Sequence, residues 1–206
     1  MSDRGGRTIR YGMVILMSIS ALGTSWAGYQ ATVWSGDQSA FGGQSVAMRH
    51  RSTRASTAAG QFRTIDVLVF MNWLTAYGHG DSLLADFYEH RFRPEFKPAF
   101  RAWMATNPLH SPDAAPSPFA LPEYRVALDD EALRAEAAAD SLALKGAMAN
   151  RLSDAYVLDA VILATVMFFA TAAQQATDNR LRWTLAITAV AICAGGILRF
   201  FFLPRA

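Results

Sequence analysis

Asp159 is a carboxylate inside an apolar run, Ala155 to Gln175, where an ionised group is costly and needs a partner. Arg199 stands in the next apolar run, Trp183 to Leu203. Counted from Asn179 in the hydrophilic break between the runs, the two residues are 20 positions away in opposite directions. In an antiparallel helical hairpin, equal path lengths mean equal depth, at about 1.5 Å per residue. The spacing therefore predicts an intramembrane ion pair, Asp159 with Arg199, that pins two helices or keeps both heads near the headgroups. An ion-pathway or gating pair is the functional alternative.

A second pattern is a stripe of small residues at Ser20, Thr24, Gly28, Thr32 and Gly36, repeating every four positions. Such stripes let helices approach closely in lipid. It predicts helix packing, within the chain or between copies; with Gln30, its hydroxyls also form a candidate pore lining.

Other groupings carry less chemistry. His79, Asp81, Asp86, Glu89 and His90 cluster in sequence but lack the His-Glu-x-x-His spacing of a metal centre, so no metal and no cofactor is expected. Gly42-Gly43 has no Gly-Lys-Ser/Thr behind it to cradle a phosphate. No Gly-x-Ser-x-Gly elbow occurs. Catalytic residues are therefore not assigned, and the chain is not expected to be an enzyme. Between Phe87 and Trp103, aromatic residues alternate with bases, and Pro94 and Pro98 break the stretch. This reads as a small aromatic core with solvated charges in preference to a headgroup-binding surface.

The elements that must position these residues follow from hydropathy. Three runs, Tyr11 to Val33, Ala155 to Gln175 and Trp183 to Leu203, are each long enough to cross the roughly 30 Å hydrocarbon core as a helix. The fold class expected is all-α: an integral membrane protein with three transmembrane helices and an extramembrane helical hairpin domain. The first run follows Arg4, Arg7 and Arg10, as a secretory signal would. Its length of about 20 residues favours a retained anchor over the usual 7–15 residue signal core. Trp26, Trp34 and Trp183 suit the interfacial belts at span ends.

The organisation read from the chain is 1–34 for the tail and first span, 35–154 for an extramembrane helical domain, and 155–206 for a transmembrane hairpin. Residues 35–154 hold 12 of the 19 basic and 14 of the 17 acidic residues. That balance argues against a nucleic-acid surface. Cys193 is the single cysteine, so no intramolecular disulfide forms.

Arginines in short segments set the orientation. Arg4, Arg7, Arg10, Arg180 and Arg182 place the N-terminus and the last turn in the cytoplasm, and residues 35–154 outside; Arg49, Arg51 and Arg54 vote the other way.

Within 35–154, Ala47, Ala55, Ala58, Phe62, Ile65, Val69, Trp73 and Ala76 recur at threes and fours, predicting an amphipathic helix over 43–77 with a kink at Gly42-Gly43. Gly78-His79-Gly80-Asp81 stops it, and Asp81 or Ser82 caps a short helix through Glu89. The five prolines of 107–124 exclude a continuous helix there. Leu128 to Leu152 favours helix running on into the second span, with Gly146 a weak point.

The order of elements, with the motif Trp26-Ala27-Gly28-Tyr29-Gln30-Ala31 followed by Trp34-Ser35-Gly36, resembles a family of uncharacterised bacterial three-pass membrane proteins. The resemblance implies an anchor, a helical middle and a two-span hairpin in the bacterial inner membrane, and no catalytic residues. The function expected is structural or accessory: a self-associating membrane protein whose partners are the bilayer and either further copies or another membrane protein. The alternative is a homo-oligomeric ion channel with the first span lining the pore.

Overall fold

The structure is a computed structural model that describes residues 2–108 and 110–205, with side chains described from residue 9 onward. Arg4 and Arg7, which enter the orientation expectation, lie outside the described side chains. Among the described residues the chain is helical, without strands. Its helices are α1 (Ser2–Gly78), α2 (Ser82–His90), α3 (Lys97–Ala105), α4 (Ala127–Gln175) and α5 (Asn179–Phe200), with a 3-10 turn at Pro118–Ala120. Three of these, α1, α4 and α5, are long and apolar enough to cross a membrane.

Two elements run further than an apolar reading suggests. The α1 helix passes through Gly42 and Gly43 without interruption. A Cβ on either glycine would meet nothing within 4 Å, so neither is required by close packing. Two interior glycines cost roughly 1 kcal/mol each relative to alanine, too little to end a helix of this length. The α4 helix likewise continues through Gly146.

The chain forms two compact units. The first joins Met1–Gln44 to Ser141–Ala206. Here α4 runs antiparallel to α1: the Ser153 hydroxyl donates to the Ala31 carbonyl at 2.9 Å, and Leu163 reaches Gly23. Leu163 is wholly buried between two glycines. A Cβ on Gly23 would lie 2.7 Å from its Cδ1, and one on Gly196 would lie 3.0 Å from its Cδ2. The glycines thus bring α1 and α5 onto one leucine of α4. Ala170, Ala173, Ala186 and Ala189 fill the rest of that core with Val166 and Met13.

The second unit, Ser45–Asp140, pairs the last part of α1 with the start of α4. Ser45 donates to the Ala139 carbonyl at 2.8 Å and Ser52 to Glu136 at 3.0 Å. Arg49 bridges Glu136 and Asp140, Arg51 meets Glu131, and Arg63 meets Asp129. At the far end the chain turns at Gly80, whose φ of 75° suits glycine. Asp81 caps α2 by accepting from the Leu84 N–H at 3.0 Å. The expected break in the aromatic stretch falls between Arg91 and Phe96, separating α2 from α3.

Phe92, Phe96, Phe100 and Trp103 pack on Phe70 and Trp73 of α1 in one aromatic core, ring against ring. The Trp103 indole donates to the Ala115 carbonyl at 2.7 Å, tying the proline-rich segment over that core. The unit's limits, 45 and 140, lie inside the 35–154 drawn from hydropathy because contacts, not polarity, end it.

Candidate functional site

The inward face of α1 alternates steps of three and four residues. In the first unit its buried positions include Met13, Ser20, Ala27 and Ala31, and in the second Ser45, Ser52, Ala55, Ala59, Asp66, Trp73 and Ala76. Such spacing is the period of a left-handed helix–helix seam. Several of its members are polar, so hydrophobic periodicity alone misplaces part of it. Ala47 and Ile65, expected inward, are exposed, and Phe62 is 36% exposed.

Asp159 and Arg199 meet as the hairpin count predicts: Arg199 Nε lies 2.6 Å from Asp159 Oδ1. The Asp159 side chain is fully buried, while that of Arg199 is 43% exposed. The guanidinium thus meets the carboxylate through Nε while the arginine side chain keeps part of its surface exposed. The contact is an ion pair without the N–H direction of a hydrogen bond, and both Asp159 oxygens are buried without a hydrogen-bond partner. Thr24 Oγ1 and Trp34 Nε1 share that condition. All four atoms belong to the first unit. Nearby, the Tyr156 hydroxyl donates to the Pro204 carbonyl at 3.1 Å, and Phe200 and Leu203 pack over Tyr156. These contacts fold the C-terminal segment back onto α4. Chemically the group can neutralise the buried Asp159 charge with the partly exposed Arg199 and accept further hydrogen bonds.

The four-residue stripe divides. Ser20 is buried with its hydroxyl 3.7 Å from the Cys193 sulfur, and Thr24 is half-buried. Gly28 and Thr32 are exposed. A helix turns 3.6 residues per cycle, so a repeat of four drifts across its surface. A different set shares one exposed line: Ser18, Ser25, Thr32 and Ser39, seven residues apart. Each hydroxyl donates to the carbonyl four residues earlier, at 2.9–3.0 Å. Their polarity is thereby satisfied within α1 itself.

The second unit holds a polar node that sequence reading missed. Asp66, 2% exposed, accepts from the Tyr124 hydroxyl at 3.0 Å and from Arg93 Nη1 at 3.4 Å. Arg93 also stacks 4.1 Å over the Phe62 ring and pairs with Glu95. Burial pushes the Asp66 carboxyl above its ordinary value, against the Tyr124 hydroxyl and Arg93, which pull it down. Burial, together with the Asp66 carboxylate, pushes the Tyr124 phenol up. The available signal was spacing: Asp66 lies seven residues before Trp73, on the same inward line.

The residues weighed as metal ligands are engaged locally. His79 Nδ1 meets the Thr75 carbonyl at 2.8 Å, His90 Nδ1 meets the Asp86 carbonyl at 2.7 Å, and Asp81 is a helix cap. Among the described residues no three of His, Cys, Asp or Glu converge to hold a metal ion.

Within the Trp26 to Ala31 motif, Ala27, Gln30 and Ala31 are buried, whereas Trp26 and Tyr29 are exposed and their rings meet at 5.8 Å. No protein-family model matches the chain, and no curated protein or solved structure matches it.

Proposed function

We propose that this protein is a non-catalytic scaffold of the bacterial inner membrane, inserted through α1, α4 and α5, that associates with copies of itself along the exposed face of α1. In this reading the N-terminus is cytoplasmic and the Ser45–Asp140 unit lies outside, available to a partner. Support for insertion comes from three long apolar helices and from the large apolar side chains exposed on them: Leu22 is 74% exposed, Phe168 70% and Ile187 64%. A bilayer solvates such side chains and water does not.

One observation carries the self-association: Ser18, Ser25, Thr32 and Ser39 lie on one exposed line with every hydroxyl satisfied. Gly28 and Gly36 are also exposed beside that line, and Leu22 and Tyr29 project from the same face. Small residues at helical spacing allow backbones to come close in lipid, where association depends on packing. A pore built from Ser20, Thr24 and Thr32 would need all three on one wetted surface, and Ser20 faces Cys193 instead. The resemblance to three-pass bacterial membrane proteins agrees with this reading in the order of elements.

The test is disulfide cross-linking in native membranes. Ser25→Cys is expected to give a covalent dimer, while Phe168→Cys on α4 gives none. Gly28→Leu placed behind Ser25→Cys should abolish the product. A Ser25→Cys chain that stays monomeric at every lipid-to-protein ratio refutes the proposal.

A further inference from the structure

We infer that the groove between α1 and α5 in the first unit holds an acyl chain of an anionic phospholipid, with Arg10 and Arg180 receiving its phosphate. This rests on the membrane reading above but is independent of the self-association. The groove has a volume of about 420 Å³ and only apolar residues line it, among them Ile9, Gly12 and Met13 from α1 and Trp183, Ile187 and Val190 from α5. That volume lies within the roughly 300–1,000 Å³ of ordinary ligand clefts. Gly12 leaves it open: a Cβ there would meet nothing within 4 Å.

Charge marks one end of this groove and selects the lipid. Arg180 precedes Trp183 by three residues, which puts it on the same side of α5 one turn nearer the helix start. Arg10 follows Ile9 directly and is exposed. Among the described residues, no carboxylate forms an ion pair with either guanidinium. A third arginine, Arg182, is already engaged, donating to the Ala176 carbonyl from Nη2 at 2.7 Å. Two arginines in the turns at the Ile9 and Trp183 end of the groove, without an ion-pair partner among the described residues, are within a long side chain's reach of its mouth and complement a phosphate above a hydrocarbon chain, as basic pockets between membrane helices take anionic headgroups. Trp183, half exposed at that end, suits the glycerol level between head and tail. The heptad line of Ser18 and Ser25 lies on the other side of α1, so both surfaces can be occupied at once.

The experiment uses the full chain reconstituted in phosphatidylcholine vesicles. A trace of photoactivatable phosphatidylglycerol, or of photoactivatable phosphatidylcholine with the same chains, is added, and the labelled peptides are mapped. Phosphatidylglycerol is expected to label the peptides bearing Met13 and Ile187 preferentially. Replacing both arginines, Arg10→Gln with Arg180→Gln, should lower that labelling about 25-fold, roughly fivefold for each charge lost. Gly12→Leu should displace the label while leaving both charges in place, and Ala191→Phe, at a further lining residue of the groove, repeats that blockade from α5. Equal labelling by the two lipids, or labelling unchanged in the arginine and groove-filling variants, overturns the inference. Alkaline carbonate extraction of the unmodified protein separates the two readings. Release from the membrane would sink insertion and the lipid site together, whereas retention with unselective labelling sinks the lipid site alone.

Discussion

The two units of this chain bury themselves by different means. Around Leu163 the first unit uses alanine and glycine, so helices close on one another and Gly23 and Gly196 grip a single side chain. Around Trp73 the second unit uses rings: Phe70, Phe92, Phe96, Phe100 and Trp103 form one cluster. In water the burial of large apolar area drives folding, and an aromatic side chain supplies 150–250 Å² of it. In hydrocarbon that drive is missing, and close contact between small residues takes its place. The difference teaches that large rings are confined to one end of the second unit, since its α1–α4 contact also buries small residues, Ala55, Ala59, Ala135 and Ala139.

The comparison breaks most visibly at Trp73. Trp73→Ala removes a side chain 2% exposed that touches the rings of Phe70, Tyr77, Phe100 and Trp103, and is expected to cost about 3–5 kcal/mol. Limited proteolysis should then cut within residues 45–140 while the first unit remains protected; equal protection of both would contradict a separate aromatic core. A smaller loss, about 1–3 kcal/mol, is expected for Gly23→Leu, because Leu163 has no free volume to retreat into. Here the diagnostic is rescue: Gly23→Leu combined with Leu163→Ala should recover thermal stability that neither change alone retains.

The mildest effect is a change of pH dependence at Asp66. Its folded-state pKa is raised, so the folded chain binds the proton more readily than the unfolded one. The stability this contributes is full below the unfolded value near 3.9 and is lost as pH rises through the raised value. Melting followed from neutral pH down toward pH 4 should show the unmodified protein gaining on Asp66→Asn. A constant difference between the two across that range would remove Asp66 as the titrating group.

Much of the architecture was legible in the residues because geometry fixes it. The hairpin count from Asn179 predicted that Asp159 and Arg199 would meet, since depth in antiparallel helices depends only on path length. Asp81 was recognisable as a cap because its side chain can reach the N–H three residues on. The inward line of α1 was harder to read. Ser45, Ser52 and Asp66 occupy buried positions that a search for apolar residues passes over, and it promoted Ala47 and Ile65 in their place. The four-residue stripe was found, yet its drift around α1 separates Ser20 from Thr32, and only the seven-residue set stays on one line. The Asp66, Arg93 and Tyr124 node joins three distant segments, so the spacing of Asp66 to Trp73 marks its inward position but not its partners.

The position of Cys193 has a practical consequence. Its thiol is 3% exposed and turned toward Ser20, so water-borne maleimides have no native target to consume. A sulfhydryl introduced elsewhere therefore reports its own surroundings against a blank background, and the depth of every residue along α1 can be read in turn without first replacing the natural one.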